Sequence, residues 1–333
     1  MGSSTNQPEP PSPTFVARFQ ALAGGEQMMD FAQFMDLALY DEQVGYYRQA
    51  KARVGYGQDT DFYTASTSGA IFGELIANAA TQILSPAAVA EMTFVEIGAE
   101  PGGGILEGVD HGFAHTRTIR VGEIPTISGS CVVFSNELFD AQPFRRFVSR
   151  GGIWHEIGVQ LRAGNFHEVE FHVEPIPDFL PDIAPEGYRF DAPSAAVALL
   201  EEFCQQPWDG LFIAADYGKS YAELIQHTPQ GTARAYFRHM QTNELLARPG
   251  EQDITCHVCW DWLANALGKC GFEPPQLESQ EAFLIHHANQ LLEKIATTDA
   301  AHLSRRKQSI MQLLHPGNLG QKFQVLHSRR RPN

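Results

Sequence analysis

The sequence predicts an α/β fold built around a mainly parallel sheet. Three short apolar runs, at residues 94–97, 131–135 and 211–215, have the composition of buried strands. Segments with helical spacing alternate with these runs, and such alternation is typical of a parallel sheet covered by helices. Each run ends in polar or glycine-bearing residues. Because parallel strands end at one edge of a sheet, we expect the three ends to lie together where open α/β sheets bind ligands.

Length and composition limit the classes of function. The chain has 333 residues, 43% of them hydrophobic, and a net charge of −15. That charge argues against general nucleic-acid binding, which needs a basic face. No stretch approaches the roughly 18 apolar residues of a membrane helix, so we expect no membrane span. Five cysteines, an odd number, do not suggest a disulfide framework. They predict a reducing compartment, and we expect a cytoplasmic protein.

The chain divides into three predicted regions. A tail rich in proline and serine, residues 1–14, has no apolar pattern and is expected to be disordered. Helical spacing at residues 28–40 and 71–84 predicts an N-terminal helical cap over residues 15–92. The remainder, residues 93–333, is predicted to form the sheet domain, with a strand-rich insertion around residues 145–193.

A glycine-rich turn follows the first apolar run and is the feature around which the prediction is built. It contains Gly98, Ala99 and Gly102. Glycines at the carboxyl end of a strand let the backbone approach a nucleotide-type cofactor closely. A tight turn without a ligand explains the same residues equally well, so the turn alone does not decide between the two.

Several polar residues at or near the other strand ends are candidates for chemistry. Glu137 and Asp140 follow the second run, where they could bind a cationic group or only cap a turn. Asp216 follows the third run with the same two interpretations. His257 lies between Cys256 and Cys259, but no second cysteine pair stands at zinc spacing. We therefore expect no metal site.

The chain resembles the MidA-like methyltransferases, a family that includes the mitochondrial arginine methyltransferase of complex I assembly. Two of the matching motifs are Ser135-Asn136-Glu137-Leu138-Phe139-Asp140-Ala141-Gln142-Pro143 and Pro249-Gly250-Glu251-Gln252-Asp253-Ile254-Thr255-Cys256-His257-Val258. The other motifs occur in the family's order at residues 31–41, 45–47, 61–65, 72–73, 95–99, 216–218 and 231–236. The resemblance covers nearly the whole chain.

This resemblance implies a Rossmann-like class I fold, S-adenosylmethionine as cofactor and a protein arginine as acceptor. The residues expected to contact the cofactor are Glu96, Gly98, Ala99, Gly102, Glu123 and Asn136. Glu137, Asp140 and His257 are expected to handle the acceptor. The partner is then a protein, and neither nucleic acid nor a membrane is expected. The sequence does not specify the acceptor protein or the oligomeric state.

The chain departs from the family pattern in its cofactor region. Glu100 stands where the family has the middle glycine of the turn, and Pro101 beside it has no N–H to donate. Glu123 lies near the offset expected for a ribose-binding acid. Too few residues follow it for a helical crossover. We therefore expect residues 118–121 to be antiparallel to their neighbour or outside the sheet, with about one strand–helix unit missing.

Two hypotheses of different classes follow. The first is a methyltransferase that acts on a protein side chain. The second is a degenerate relative that keeps the fold and binds a partner without catalysis, which Glu100 and the shortened sheet favour. A nicotinamide-dependent dehydrogenase fits less well, because no complete Gly-x-Gly-x-x-Gly turn is present.

Overall fold

The computed structural model describes residues 10–49, 53, 60–61, 69–298 and 305–332. Much of the predicted tail (residues 1–9), most of the family motif at residues 61–65 and residues 299–304 therefore lie outside the described part. The α-helices within it are α1 (Pro13–Ala23), α2 (Phe31–Tyr40), α3 (Ala70–Leu84), α4 (Pro86–Val89), α5 (Ser194–Cys204), α6 (Tyr221–Gln226), α7 (Trp260–Lys269), α8 (Gln280–His287), α9 (Asn289–Thr298) and α10 (Arg305–Leu314).

The strands are mostly short. They are β1 (Met28–Asp30), β2 (Thr93–Ile97), β3 (His115–Ile119), β4 (Gly129–Asn136), β5 (Arg145–Arg150), β6 (Ile153–Arg162), β7 (Asn165–His172), β8 (Arg189–Ala192), β9 (Trp208–Asp216), β10 (Gly218–Lys219), β11 (Arg234–Phe237), β12 (Met240–Thr242), β13 (Asp253–Thr255), β14 (Val258–Cys259), β15 (Gln276–Ser279) and β16 (Gln324–Arg330).

The chain forms two compact units. The first consists of Met1–Lys51, Ala141–Ala195 and Ala222–His257, and the second of Ala52–Asp140, Ala196–Tyr221 and Val258–Asn333. Of the predicted helical cap, α1 and α2 belong to the first unit, whereas α3 and α4 belong to the second. The predicted insertion lies in the first unit.

The first unit is built on antiparallel strands. One sheet has the order β1-β6-β5-β8 with β7 also paired to β6, and a second has the order β12-β11-β13. Helix α2 begins at Phe31 rather than at the predicted residue 28, because Asp30 caps it: Gln33 N–H donates to Asp30 Oδ1 at 2.7 Å, and Asp30 N–H donates to Gln33 Oε1 at 3.2 Å. The preceding residues pair with β6 instead.

The second unit is built on a six-stranded sheet of order β15-β16-β9-β4-β2-β3. Strands β3, β2, β4 and β9 are parallel, whereas β16 and β15 run antiparallel. The central strands are apolar along their length because both faces are buried. Phe94, Phe134 and Ile213 belong to one core cluster. Val133 and Phe212 belong to the other, so helices cover both faces of a Rossmann-like sheet.

The prediction for residues 118–121 was wrong, because β3 pairs with β2 in parallel. β3 and β4 lie on opposite sides of β2, and the segment that connects them contains no helix. Residues 120–128 reach about 30 Å when extended. To start β4 parallel to β3, this segment must run back about 20 Å along the strand direction and about 10 Å across two strand spacings. The short length of β3 therefore allows a parallel crossover that a helix-based rule excludes.

The expected shortening of the sheet is confirmed in a different form. In doubly wound sheets of order 3-2-1-4-5-6, two strands lie outside the first one. Among the described residues only β3 lies outside β2, and the links at residues 98–114 and 120–128 contain no helix. Within that part of the chain, one strand and the two crossover helices are thus lacking on this side. No helix in the described ranges is long and apolar enough to cross a bilayer.

Candidate functional site

The carboxyl ends of β2, β4 and β9 lie side by side, which confirms the shared edge predicted from the sequence. Ile97 at the end of β2 is in register with Ser135 of β4, and Asn136 is in register with Ala215 of β9. The glycine turn and the loop carrying Glu137 and Asp140 therefore leave the sheet from neighbouring strands. This edge, in the second unit, is the candidate cofactor site.

The glycine turn begins with a residue whose conformation favours glycine. Gly98 has φ +82°, and a Cβ there would lie 3.0 Å from Leu138 Cδ1. The N–H groups of Gly98 and Ala99 both donate to Ile119 O of β3, at 2.9 and 3.4 Å. The start of the turn is therefore attached to β3 and kept close to the loop after β4.

The later glycines of the turn face two different environments. A Cβ on Gly102 would meet no heavy atom within 4 Å. A Cβ on Gly103 would lie 1.7 Å from Glu107 Oε2, and one on Gly104 would lie 2.7 Å from Glu96 Oε2. Gly103 and Gly104 thus make room for the protein's own carboxylates, whereas Gly102 borders open space.

Glu96 supports the turn from inside. Its Oε2 accepts a hydrogen bond of 2.7 Å from Ile105 N–H, and the residue is buried on β2. Burial raises the pKa of Glu96 to about 7, although the Ile105 bond and the charge of Arg120 oppose that shift. The described contact of this predicted cofactor ligand is therefore with its own loop.

Glu100 is paired with a buried cation. Its Oε2 lies 3.4 Å from Nη2 of Arg53, whose side chain is only 3% exposed. Burial raises the pKa of Glu100, and the Arg53 charge opposes the shift. The Glu100 side chain thus forms an ion pair within the second unit.

Glu123 stands just beyond the carboxyl end of β3. Its Oε2 accepts a bond of 2.9 Å from Arg120 N–H, and Glu123 N–H donates to Arg120 O at 3.0 Å. The side chain is exposed. Because β3 neighbours β2 in parallel, the acid occupies the strand end where doubly wound folds place a ribose-binding carboxylate.

Two polar atoms at the end of β4 are buried and lack a hydrogen-bond partner among the described residues: Ser135 Oγ and Asn136 Oδ1. The amide group of Asn136 donates instead to Glu137 Oε1 at 3.0 Å. A buried polar atom left unpaired costs about 1–3 kcal/mol. At the edge where open α/β sheets bind ligands, such atoms are available to bind a polar molecule.

The loop after β4 is clamped by Asp216, which is fully buried at the end of β9. Its Oδ2 accepts from the N–H groups of Phe139 and Asp140, at 2.9 and 3.3 Å, and its Oδ1 accepts from Tyr217 N–H at 2.8 Å. Burial raises the pKa of Asp216 to about 7 against these bonds. Asp216 therefore fixes the loop that presents Glu137 and Asp140.

Glu137 is held in a strained conformation, with φ +51°. A left-handed conformation costs roughly 1–2 kcal/mol in a residue other than glycine. The bond from Glu137 N–H to Ala215 O, 3.0 Å long, helps to retain it. Asp140 is buried beside the clamp. Retained strain of this kind is characteristic of functional loops.

His257 belongs to the first unit, whereas Glu137 and Asp140 belong to the second. Its backbone N–H donates to Thr232 Oγ1 at 3.1 Å. The neighbouring loop is held by Asp191, whose Oδ2 accepts from Thr232 N–H and Ala233 N–H at 2.6 and 2.8 Å. Arg146 in turn donates from Nε to Asp191 Oδ1 at 2.9 Å.

Sequence reasoning missed the roles of Ser135 and Arg53 and left Asp216 undecided. Ser135 closes an apolar run, which is a weak signal for a polar contact at a strand end. Arg53 and Glu100 lie far apart in the sequence, and no local pattern connects them.

The proteins that this chain resembles in sequence and fold include methyltransferases. Residues 113–277 match the model of a family described as "Putative S-adenosyl-L-methionine-dependent methyltransferase". The chain is 24% identical, over 211 residues, to the mitochondrial protein arginine methyltransferase NDUFAF7 of Xenopus tropicalis. That match covers 60% of this chain and 46% of the Xenopus protein, so the chain spans about half the length of this relative.

Two solved structures from Burkholderia thailandensis share the fold across nearly the whole chain. One is a "likely methyl transferase" bound to S-adenosyl-homocysteine, with 25% identity, a TM-score of 0.79 and coverage of 96% of this chain and 94% of that one. The other is an uncharacterized protein in native form, with 24% identity, a TM-score of 0.75 and the same coverage.

Proposed function

Because the chain belongs to the MidA-like family of S-adenosyl-L-methionine-dependent methyltransferases, we propose that it methylates a protein side chain, with arginine as the acceptor. The observation that carries this proposal is the loop after β4. Two acidic side chains are presented there, next to a glycine turn, by a buried clamp. The arginine specificity is supported by the name of the Xenopus relative and by the chemistry of carboxylates.

The residues at the sheet edge fit an adenosyl cofactor. Gly102 borders open space, and Asn136 and Ser135 offer buried polar atoms without partners among the described residues. Glu123 supplies a carboxylate beyond β3, where it is suited to accept from ribose hydroxyls. Gly98 and Ala99 keep the backbone close to this edge. Of the predicted ligands, Glu96 acts indirectly, by holding the turn in shape.

When bound, S-adenosylmethionine would supply the methyl group: the acceptor nitrogen attacks the methyl carbon in line, the carbon–sulfur bond breaks, and S-adenosylhomocysteine is the leaving thioether. The chain's own residues then have to position the acceptor. An arginine side chain is protonated in water, so its planar guanidinium needs carboxylates for binding and orientation. Glu137 and Asp140 provide them, and the carboxylate of Glu137 is suited to accept the proton that the guanidinium loses. His257 stays a prediction for proton transfer.

Calorimetric titration of the purified full-length chain with S-adenosylmethionine tests the cofactor. We expect saturable binding with one site per chain. Absence of heat at millimolar ligand would remove the enzyme proposal. Transfer is then followed by mass spectrometry with arginine-containing peptides, with matched lysine peptides as the control. We expect a gain of one methyl mass on arginine that Glu137→Gln reduces at least about tenfold.

A second candidate is a methyltransferase-like protein that binds a partner without turnover. It is favoured by the ion pair of Glu100 with Arg53 and by the filling of the Gly103 and Gly104 positions with carboxylates. The variant Glu100→Gly separates the two. If it creates or strongly increases affinity for the cofactor, the natural site has decayed. An active wild-type chain whose affinity this variant leaves unchanged supports the enzyme.

A further inference from the structure

A cluster of imidazoles surrounds one carboxylate at the edge of the second unit's sheet, on strands and a helix that the proposed transfer reaction does not use. His287 Nε2 lies 2.9 Å from Glu278 Oε1, and His327 Nε2 lies 3.2 Å from the same oxygen. The three ligand atoms all lie within 4.8 Å of one another. His286 Nδ1 lies 2.5 Å from the other oxygen, Glu278 Oε2.

Regular structure holds these side chains in place. Glu278 is on β15, His287 ends α8 and His327 is on β16, which pairs with β15. The ring of the fully buried Phe283 packs 5.1 Å from the His287 ring and 5.3 Å from the His327 ring. Both imidazoles are thus oriented by the core and not by the carboxylate alone.

Helix α8, which contributes His287, is itself firmly attached. Ser279 Oγ accepts from Ala282 N–H at 3.2 Å and caps the helix. Gln280 N–H donates to Phe323 O at 3.0 Å, and the Gln280 amide donates to Leu313 O at 3.1 Å. The first turn of α8 is therefore fixed to the segment that leads into β16.

We propose that Glu278, His287 and His327 form a binding site for a divalent transition-metal ion, with Zn²⁺ as the best match. Ligands about 2.0–2.1 Å from a tetrahedral zinc ion lie about 3.3 Å from each other. Two of the three separations, 2.9 and 3.2 Å, are close to that value, and the third is no longer than 4.8 Å.

The donor set selects the class of metal. Imidazole nitrogen with one carboxylate oxygen suits Zn²⁺, whereas Mg²⁺ and Ca²⁺ prefer oxygen alone. Two histidines and one carboxylate leave a fourth position for water, and the side chains of His287 and Glu278, 23% and 16% exposed, leave an approach from solvent. His286, on the second oxygen of Glu278, is suited to orient the carboxylate rather than to complete the set.

The site escapes sequence reasoning because its ligands are spread over β15, α8 and β16. Residues 276–287 are largely polar and lack the periodicity of a buried strand or helix. The adjacent pair His286–His287, a few residues after Glu278, is the local signal. Its third ligand lies about forty residues further along the chain, which is too far for any spacing rule.

Metal binding is measured on full-length untagged protein, because a histidine tag would bind metal itself. The chain is treated with a chelator, dialysed against micromolar Zn²⁺, and its metal content is determined by mass spectrometry. We expect one Zn²⁺ per chain and a higher melting temperature with metal than without. A metal content well below one, or an unchanged melting temperature, would overturn the proposal.

Two variants and one control test the proposed ligands. Glu278→Gln keeps the size of the side chain, and His287→Ala changes a partly exposed residue, so both are expected to fold, which circular dichroism verifies. Each is expected to weaken Zn²⁺ affinity at least about a hundredfold. The control His315→Ala alters a histidine outside the cluster and should keep full affinity. Stoichiometric binding that survives both ligand variants contradicts the site.

Replacing Zn²⁺ with Co²⁺ tests whether cysteine thiolates, rather than the proposed site, bind the metal. Four of the five cysteines are buried, and Cys270 is half-buried. We expect visible bands typical of a four- or five-coordinate ion, and no near-ultraviolet band from thiolate coordination. A strong thiolate band would assign the metal to cysteine and overturn the proposed site.

Discussion

Two buried carboxylates at the same edge of the sheet support neighbouring loops in different ways. Asp216 binds the loop after β4 through the N–H groups of Phe139 and Asp140 and also accepts from Tyr217. Glu96 binds the glycine turn through the single N–H of Ile105. Burial raises the pKa of each carboxyl to about 7. The two carboxylates therefore differ in the number of N–H groups from which they accept, although burial shifts both pKa values in the same direction.

This difference separates the retained part of the site from the altered part. The loop held by several donors contains the longest family motif at the sheet edge, with its two acidic residues. The turn that Glu96 supports through one donor contains Glu100, which is paired with Arg53. Gly98 and Ala99 attach the start of this turn to β3 as well.

The largest effect is expected from Asp216→Asn. An amide offers one acceptor oxygen and turns an NH₂ group toward backbone donors, so buried groups are left unpaired. We expect a loss of about 3–4 kcal/mol in the free energy of unfolding, measured in urea at neutral pH. Cofactor affinity should fall with it, because the loop carrying Glu137 loses its support.

The matched control for this substitution is Asp209→Asn, at the other end of the same strand. Among the described residues, the side chain of Asp209 accepts from Ser130 Oγ alone, at 3.0 Å and near the surface. It should change the free energy of unfolding by no more than about 0.5 kcal/mol. Equal losses in both variants would mean that Asp216 is an ordinary strand residue and not a clamp.

A smaller effect is expected from Gly98→Ala in the turn. The positive φ of Gly98 disfavours any side chain, and the added Cβ would approach Leu138 to 3.0 Å. Since the Leu138 methyl can move, we expect a loss of about 2 kcal/mol, measured as above. A loss below about 0.5 kcal/mol would show that the turn adapts freely at its first glycine.

The pH dependence of stability separates the two clamps. The pKa of Glu96 is about 7 in the folded chain, above its ordinary value near 4.3. Between these values the folded state holds a proton that the unfolded state has released. The contribution of Glu96 to stability therefore falls as the pH rises through this window and is constant above it. The pKa of Asp216 is also raised, so its contribution to stability likewise falls as the pH rises.

Glu96→Gln removes one of the two contributions and keeps an acceptor for Ile105. Urea unfolding at pH 5 and pH 8 should show that the variant loses less stability over this range than the wild type does. The expected difference is on the order of 1–2 kcal/mol. An identical pH slope in both proteins would mean that Glu96 is ionised throughout.

The sequence was sufficient to predict the central strands of the sheet but not the strands at its edges. Apolar runs identified β2, β4 and β9, because strands buried on both faces carry little else. The polar segment that forms β15 and α8 has no such pattern. The parallel direction of β3 contradicted a rule that assumes helical crossovers. The partners of Asp216 at Phe139 and Asp140 follow from the sheet register, which places the end of β4 beside β9.

Gly102→Ala tests the cofactor assignment with the smallest expected effect on stability. No heavy atom of the described residues lies within 4 Å of the added Cβ, so the free energy of unfolding should stay within about 0.5 kcal/mol of the wild-type value. If the cofactor lies against this turn, the methyl group occupies its space and calorimetric affinity falls at least about tenfold. Gly268→Ala is the control, because it adds a Cβ in equally open space on α7. If both variants leave the affinity for the cofactor unchanged, Gly102 is not part of the cofactor site. A ligand in contact with that backbone would be displaced by the added methyl group.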